Sequence, residues 1–134
     1  MPHTIHQEVT LDADAGRVLD ALTDAAQFAQ LTGAPAARLS ATEGERIELF
    51  GGHITGRNIE FVPSRRLVQA WRAASWPEGA YSIVKFDLDQ SNGGGSTRLI
   101  FDHTGFPEEH HDDLAAGWHK MYWEPLNRYL SRAR

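Results

Sequence analysis

The chain has 134 residues, which suits one domain with a substantial core, and it contains no cysteine, which excludes disulfides and thiolate chemistry. Its 18 acidic side chains exceed its 13 lysines and arginines and give a formal net charge of −5, which argues against nucleic acid or an anionic membrane as the main partner. No apolar run approaches the ~20 residues that cross a bilayer, and the first residues carry no secretory signal, so we expect a cytoplasmic protein without membrane insertion.

The first third of the chain predicts one strand followed by two short helices. Apolar and polar residues alternate over residues 5–11, with Gln7 as the polar exception on the apolar face. Residues 12–14 supply two carboxylates that can cap a helix, and a second short helix is predicted over residues 24–30. The proline-containing stretch at residues 34–36 ends this helical region.

From residue 38 onward the pattern changes to short strands separated by turns. Tight turns between successive strands indicate antiparallel neighbours, and the glycine-rich run at residues 91–95 is typical of such a turn. Gly56 interrupts one strand, so the sequence leaves open whether Glu60 faces inward and pairs with Arg57 or Arg72. The strands are predicted at residues 46–50, 53–62, 66–72, 81–89 and 97–103.

The last part of the chain predicts one long amphipathic helix over residues 108–132. Large apolar side chains recur at helical spacing, and a helix of this length measures about 37 Å at ~1.5 Å per residue. Six or seven strands at ~4.8 Å spacing make a sheet roughly 30 Å wide, so the helix can span the sheet. Pro125 removes one backbone hydrogen bond and should bend the helix along a curved sheet. The apolar stripe consists of Leu114, Trp118, Met121, Tyr122, Pro125, Leu126 and Tyr129.

Several segments between residues 46 and 130 resemble one protein family. They include Phe50-Gly51-Gly52-His53-Ile54-Thr55-Gly56, Glu60-Phe61-Val62-Pro63, Arg66-Leu67-Val68-Gln69-Ala70-Trp71-Arg72, His103-Thr104-Gly105-Phe106-Pro107 and Gly117-Trp118 with Tyr122-Trp123. Together these segments resemble the Hsp90-ATPase-activator-homologue branch of the START/Bet v 1-like, or SRPBCC, superfamily. The resemblance implies an α+β helix-grip fold over residues 1–134 as a single domain. In that fold a curved antiparallel sheet of six to seven strands grips a long C-terminal helix, and two short helices follow the first strand.

The resemblance implies less about activity, since members of the superfamily include carriers of hydrophobic ligands, a co-chaperone domain and cyclases. We expect this chain to bind a small, largely apolar molecule in a cavity between the closing helix and the sheet. A protein-interaction role such as modulation of an Hsp90-like ATPase is one alternative, and an enzyme of the cyclase or hydrolase type is another. A homodimer through a strand edge or the outer helix face is compatible with the pattern but is not required by it.

Large aromatic side chains and a few polar ones are the candidates to line such a cavity. The aromatics can equally form ordinary core between helix and sheet, so both interpretations stay open. Among the polar candidates, His103 shares a strand face with Leu99 and Phe101, where it could orient the polar group of a ligand or be satisfied by a neighbour. The candidates are Glu60, Gln69, Trp71, Trp76, Phe86, Phe101, His103, Trp118 and Tyr122.

No pattern in the sequence points clearly to a metal or to catalysis. Within the His-His-Asp-Asp run at residues 110–113, only His110 and Asp113 have the spacing of a helical chelate. Acidic residues in a first helical turn are also favoured by the helix dipole without any metal. No nucleophile elbow, phosphate-binding loop or dinucleotide fingerprint is present. We therefore expect neither a metal nor a cofactor, and binding rather than catalysis.

Overall fold

Residues 4–33, 38–90 and 95–132 are described in the computed structural model of the chain. The strands are β1 (Thr4–Leu11), β2 (Arg46–Leu49), β3 (Ile54–Val62), β4 (Arg66–Ala73), β5 (Ser82–Gln90) and β6 (Thr97–Thr104), and the first two helices are α1 (Ala15–Thr23) and α2 (Ala25–Thr32). The strands form one antiparallel sheet in the order β1-β6-β5-β4-β3-β2.

The curved sheet, the two short helices after β1 and the helical C-terminal segment confirm the predicted order of elements and the helix-grip fold. The predicted helix break at residues 34–36 lies outside the described residues, as do residues 91–94 of the turn predicted over residues 91–95. That a single domain spans residues 1–134 stays a prediction. None of the described helices is long and apolar enough to span a membrane.

Acidic side chains begin both short helices. The Asp14 carboxylate accepts a hydrogen bond from the Arg17 backbone N–H at 2.9 Å, and the Asp24 carboxylate accepts one from the Ala26 N–H at 3.3 Å. These caps satisfy backbone donors that have no partner within the helix. The second helix ends at Gly33, whose φ of 71° is a left-handed conformation that glycine adopts without strain.

The two faces of the sheet differ in exposure because side chains alternate along each strand. On the inner face, His103, Val84 and Gln69 lie side by side on neighbouring strands, and all three are buried. One residue further along, Asp102 and Lys85 pair on the outer face and are partly exposed. The core therefore lies between the inner face of the sheet and the C-terminal helical segment.

The closing helix, residues 111–132, changes its hydrogen-bond pattern in the middle. It consists of α3 (His111–Gly117), a π-helical turn (Trp118–Trp123) and α4 (Glu124–Arg132), and a 3-10 turn (Glu108–His110) precedes it. At the end of the π turn the Glu124 N–H donates to the His119 carbonyl, five residues back. Pro125 has no N–H to offer the Met121 carbonyl, its partner in an α-helix. The irregularity predicted at Pro125 is thus a π turn immediately before it.

The π turn rotates the buried face of the helix away from the predicted stripe. Trp118, Tyr122 and Leu126 are buried as predicted, but Met121 is 40% exposed. Trp123, which the stripe omits, is buried and stacks on Trp118 with 5.7 Å between ring centroids. Hydrogen bonds in a π turn span five residues, so side chains at i and i+5 share a face. The regular helical period assumed from the sequence was therefore wrong for Met121.

The irregularity of β3 lies after Gly56 rather than at it. Gly56 pairs with Trp71 in a continuous ladder, and the register shifts only between Asn58 and Glu60. Such a bulge adds one residue to one strand and changes the facing of the residues that follow. Glu60 therefore lies opposite Val68 on the outer face of the sheet.

We expect Gly56→Ala to destabilise the sheet strongly. A Cβ at this position would lie 1.8 Å from the Ala70 carbonyl oxygen of β4, so the two strands would have to separate. The free energy of unfolding should fall by about 3 kcal/mol or more, the upper end of the usual cost of overpacking. Urea denaturation followed by circular dichroism measures this loss.

Gly95→Ala is the matched control, because a Cβ at Gly95 would meet no atom within 4 Å. Its free energy of unfolding should stay within about 0.5 kcal/mol of the wild type, as for an ordinary surface change. Equal stability of the two variants would contradict the close approach of β3 to β4 at Gly56.

Candidate functional site

A cavity of about 410 Å³ lies between the closing helix and one end of the sheet. That volume falls within the ~300–1,000 Å³ range of small-molecule sites. The helical wall consists of His110, Asp113, Leu114, Gly117, Trp118, Met121 and Tyr122. The opposite wall comes from the turn before β3, the end of β4 and the loop after it, and consists of Phe50, His53, Ile54, Trp71, Ala73, Ser75 and Trp76.

Two tryptophans at the junction of helix and sheet offer the cavity apolar ring surface. Trp118 stacks on Trp71 with ring centroids 4.8 Å apart and 29° between the ring planes. The Trp71 indole N–H donates to Gln69 Oε1 at 3.1 Å, and the Trp118 indole N–H donates to His103 Nδ1 at 3.1 Å. Since both donors are used within the core, neither tryptophan has a polar atom free for a ligand.

His103 is a buried, neutral histidine that supports the cavity wall from behind. Its Nδ1 accepts the hydrogen bond from Trp118, so its Nε2 carries the proton and donates to Ser82 Oγ at 2.8 Å. The Ser82 hydroxyl in turn donates to the Trp71 carbonyl at 3.2 Å. Burial lowers the pKa of His103 from 6.5 to about 3, so the ring is neutral at pH 7. Both ring nitrogens are occupied, and neither is free to orient a ligand.

A second chain of hydrogen bonds fixes Trp71. Gln69 Nε2 donates to Asn58 Oδ1 at 3.1 Å, and Asn58 Nδ2 donates to the carbonyls of Ser40 and Thr42 at 2.8 and 3.0 Å. Gln69 and Asn58 are both buried, so the hydrogen bond between them is shielded from water, and the two bonds to the carbonyls are part-buried. A buried network whose members are all satisfied makes this wall rigid.

Arg72 holds the loop after β4, which carries Trp76 into the cavity wall. The guanidinium donates to the carbonyls of Trp76 at 2.9 Å and Ala80 at 3.4 Å, and also to that of Pro77. Trp76 is buried, and its ring stacks on His110 with 6.4 Å between centroids. The loop is therefore attached both to β4 and to the start of the closing helix.

Gln7, the polar exception on β1, binds the closing helix. Its Oε1 accepts a hydrogen bond from the Trp123 indole N–H at 2.6 Å, and its Nε2 donates to the Ala115 carbonyl at 3.1 Å. One side chain on the edge strand of the sheet thus holds both α3 and the π turn.

The structure brings some of the predicted site residues to the cavity and leaves others outside its lining. Those at the cavity are Trp71, Trp76, Trp118 and Tyr122. Those outside the lining are Glu60, Gln69, Phe86, Phe101 and His103. Glu60 faces outward because of the bulge after Asn58, and its carboxylate lies 3.4 Å from Arg66 rather than beside Arg57 or Arg72. The expectation that Glu60 lines the cavity is corrected accordingly.

Gln69, Phe86, Phe101 and His103 lie in the core behind the cavity wall. All four are buried, and Phe101 packs against Trp118 with 4.2 Å between ring centroids. They support the lining residues from the sheet side. These four residues therefore form ordinary core between helix and sheet, one of the two interpretations that the sequence left open. A ligand-binding role for any of the predicted residues stays a prediction.

Sequence reasoning missed most of the polar residues at the cavity mouth. His53 and Ser75 line the cavity and are exposed, and His110 and Asp113 face them from the helix. The glycine-rich 3-10 turn Phe50–Gly52 places His53 there, and that turn was the available signal. The spacing of His110 and Asp113 predicted that they are neighbours. Within the described residues, however, no group of three His, Cys, Asp or Glu side chains could hold a metal.

An antiparallel sheet that grips a long helix, with a cavity between the two, places the chain in the class of helix-grip α+β domains. Comparison with solved structures supports this assignment. A crystal structure of an HSP90 activator from Plasmodium falciparum matches with a TM-score of 0.88 at 20% identity, over 96% of each chain. A Mesorhizobium loti protein matches with a TM-score of 0.81 at 21% identity, over 98% of each chain. At these identities the likeness shows the fold.

A family model described as "Activator of Hsp90 ATPase homolog 1-like protein" matches residues 12–131, and the chain belongs to this family. The curated "Activator of 90 kDa heat shock protein ATPase homolog 1" of Mus musculus is 31% identical over 97 residues, and that of Homo sapiens is 30% identical over 97 residues. These matches cover 72% of this chain and 28% of each relative, so the chain spans less than a third of their length. The family resemblance in the sequence is confirmed.

We expect the buried neutral state of His103 to make the protein less stable in mild acid. Between pH 6.5 and about 3 the unfolded chain takes up a proton that the folded chain excludes. The neutral ring of His103 therefore makes its full contribution to the free energy of unfolding above pH 6.5, and this contribution decreases as the pH falls. The loss should reach about 3 kcal/mol between pH 7 and pH 4.5, which urea denaturation at the two pH values measures.

The variant His103→Gln distinguishes the pH effect of His103 from that of the other histidines. One of these is His6, whose pKa is raised by hydrogen bonds to Asp102 and Glu8. The variant should be less stable at pH 7, because it disrupts the hydrogen bond from Trp118. The difference in unfolding free energy between wild type and variant should then narrow toward pH 4.5. A difference that stays constant would show that His103 does not resist protonation in the folded state.

Proposed function

We propose that this chain binds a small, largely apolar molecule in the cavity between the closing helix and the sheet. The observation that carries the proposal is a cavity of about 410 Å³ with several aromatic side chains in its walls. Small-molecule sites are typically such apolar concavities with a few polar groups for orientation.

Burial of apolar ligand surface against these rings would supply the binding free energy. Each Å² removed from water contributes about 25 cal/mol before the costs of ordering are subtracted. Hydrogen bonds from their indole groups already hold Trp71 and Trp118, so these rings need little ordering when a ligand enters. Such pre-organisation lowers the cost of binding.

We propose binding rather than catalysis for this cavity, because neither of the two buried titratable groups at or behind its wall, His103 and Tyr122, is suited to act as a general acid or base. A catalytic acid or base must lie within hydrogen-bond reach of the reacting group. His103 has a strongly lowered pKa, but it lies outside the cavity lining and both of its ring nitrogens are occupied. Burial raises the pKa of Tyr122, so this lining phenol stays protonated and cannot act as a base at neutral pH.

We expect Gly117→Leu to block the cavity without harming the fold. Gly117 lines the cavity from α3, and a Cβ there would meet no atom within 4 Å. Leucine favours a helix over glycine by roughly 0.5–1 kcal/mol, so the stability should be kept or should rise. The affinity for 2-ethylnaphthalene, a small apolar probe, should fall at least about tenfold because the leucine occupies part of its space. NMR titration of the tryptophan indole N–H signals measures it.

Ala116→Leu is the matched control, because Ala116 is an exposed neighbour on the same helix and lies outside the cavity lining. Its affinity for the probe should equal that of the wild type. Native mass spectrometry of wild-type protein purified from its own host identifies any retained molecule. Equal probe affinity in Gly117→Leu and wild type, or a wild type that neither binds the probe nor retains a molecule, would refute the proposed site.

A second candidate function is interaction with an Hsp90-type ATPase. The relatives in Mus musculus and Homo sapiens are named as activators of the 90 kDa heat shock protein ATPase. Ile59, Tyr81 and Ile83 are large apolar side chains that are exposed in this chain. Ile83 pairs with Ala70 on the outer face of the sheet, away from the cavity. Exposed apolar groups of this kind are candidates for a protein contact when they form a patch.

Under this second function, the chain should change the rate of ATP hydrolysis by the Hsp90 of its own host, and Ile83→Asp should abolish that change. Steady-state phosphate release with and without the chain measures the rate. Gly117→Leu changes the closing helix, which packs on the opposite face of the sheet, and should retain the effect. An unchanged rate at a saturating concentration of the chain would exclude this candidate and leave ligand binding unaffected.

A further inference from the structure

The hydroxyl of Tyr122 is a buried polar group that the described part of the chain leaves without a partner. Tyr122 is 3% exposed and lines the cavity. Within residues 4–33, 38–90 and 95–132, every buried side-chain oxygen or nitrogen that is sealed from solvent has a hydrogen-bond partner. Since the Tyr122 hydroxyl has none, it is not sealed, and the cavity is the open space that this side chain lines.

Aromatic neighbours fix the ring of Tyr122, so its hydroxyl keeps its position. Between ring centroids, Trp118 lies 4.5 Å away, Phe28 5.5 Å and Trp123 5.9 Å. Burial raises the pKa of the hydroxyl, which keeps it protonated at neutral pH. A fixed and protonated phenol can donate one hydrogen bond to an acceptor that enters the cavity.

The surroundings of Tyr122 favour a neutral acceptor over an anion. The described lining of the cavity contains no lysine or arginine, and the guanidinium of Arg72 is occupied by carbonyls of the adjacent loop. The ionisable lining groups His53, His110 and Asp113 are less buried than Tyr122 and lie toward the mouth. Burying a carboxylate without a cation costs far more than burying a carbonyl group that finds a donor.

We propose that the ligand of this cavity carries a neutral acceptor oxygen of the ketone, ester or amide class, and that Tyr122 Oη donates a hydrogen bond to it. The inference rests on the proposed ligand-binding function and specifies the polar end of the ligand. The apolar body of the ligand lies against Trp71 and Trp118, whose N–H groups are occupied. Tyr122 thereby takes the orienting role that the sequence offered to His103.

Two probes of similar shape test for the acceptor. 2-Acetylnaphthalene has a ketone oxygen, and 2-ethylnaphthalene does not. The ratio of their dissociation constants is measured by NMR titration in the wild type and in Tyr122→Phe. We expect the relative affinity for the ketone to fall about tenfold in the variant, the scale of one neutral hydrogen bond. A change of less than about twofold overturns the inference and leaves the ligand-binding function standing.

Tyr129→Phe is the control, because it removes a phenol oxygen from the same closing helix at a position outside the cavity lining. The Tyr129 hydroxyl donates to Gln27 Oε1 at 3.2 Å. This control should leave the ratio of the two dissociation constants unchanged. A fall in the relative affinity for the ketone equal to that in Tyr122→Phe also overturns the inference. If the wild type binds neither probe, this inference is overturned, and the proposed function is refuted as well if the protein also retains no molecule from its host.

A measurement on the wild type decides the question if Tyr122→Phe does not fold. The carbonyl carbon of a ketone moves to higher chemical shift when its oxygen accepts a hydrogen bond. With carbon-13 at this position of 2-acetylnaphthalene, we expect such a movement on binding, relative to the ketone in an apolar solvent. A bound signal equal to that in apolar solvent overturns the inference.

Discussion

The contact of Trp118 with Trp71 and His103 is the interaction on which the rest of the structure depends. Trp118 stacks on Trp71 at 4.8 Å and donates its indole N–H to His103 at 3.1 Å, so it joins the closing helix to the sheet by apolar and polar contacts together. A ring held on two sides cannot turn to fill the void beside it. The interaction that joins helix to sheet therefore also fixes two walls of the cavity, Trp71 and Trp118.

The two halves of the closing helix are packed to different degrees, and this difference locates the cavity. α4 buries Leu126 and Leu130, and the Leu130 carbonyl accepts a hydrogen bond from Arg17 of α1 at 3.3 Å. α3, in contrast, buries no residue. The π turn between them brings Trp118 and Trp123 together toward the sheet. The closing helix is thus sealed against the short helices in its second half and lies over a void in its first half.

The elements of this fold could be predicted because each depends on short-range periodicity, as in the alternation over residues 97–103. The features that were missed depend on hydrogen bonds that periodicity does not encode. Met121 is exposed and Trp123 buried because a π turn forms before a proline, and Glu60 faces outward because of the bulge between Asn58 and Glu60. The buried face of His103 was predicted, but its partners lie on other elements of the chain, so its supporting role needed the structure.

A ligand in the proposed site would couple occupancy of the cavity to the order of α3. No residue of α3 is fully buried, although Leu114 and Ala115 pack against the core and the Ala115 carbonyl accepts a hydrogen bond from Gln7. A molecule in the cavity would add apolar contacts along Leu114 and Gly117, which line it from α3. A ligand that binds only the folded arrangement stabilises that arrangement by mass action. Under the proposed function, the less buried half of the closing helix would therefore be the part of the fold that gains most from an occupant.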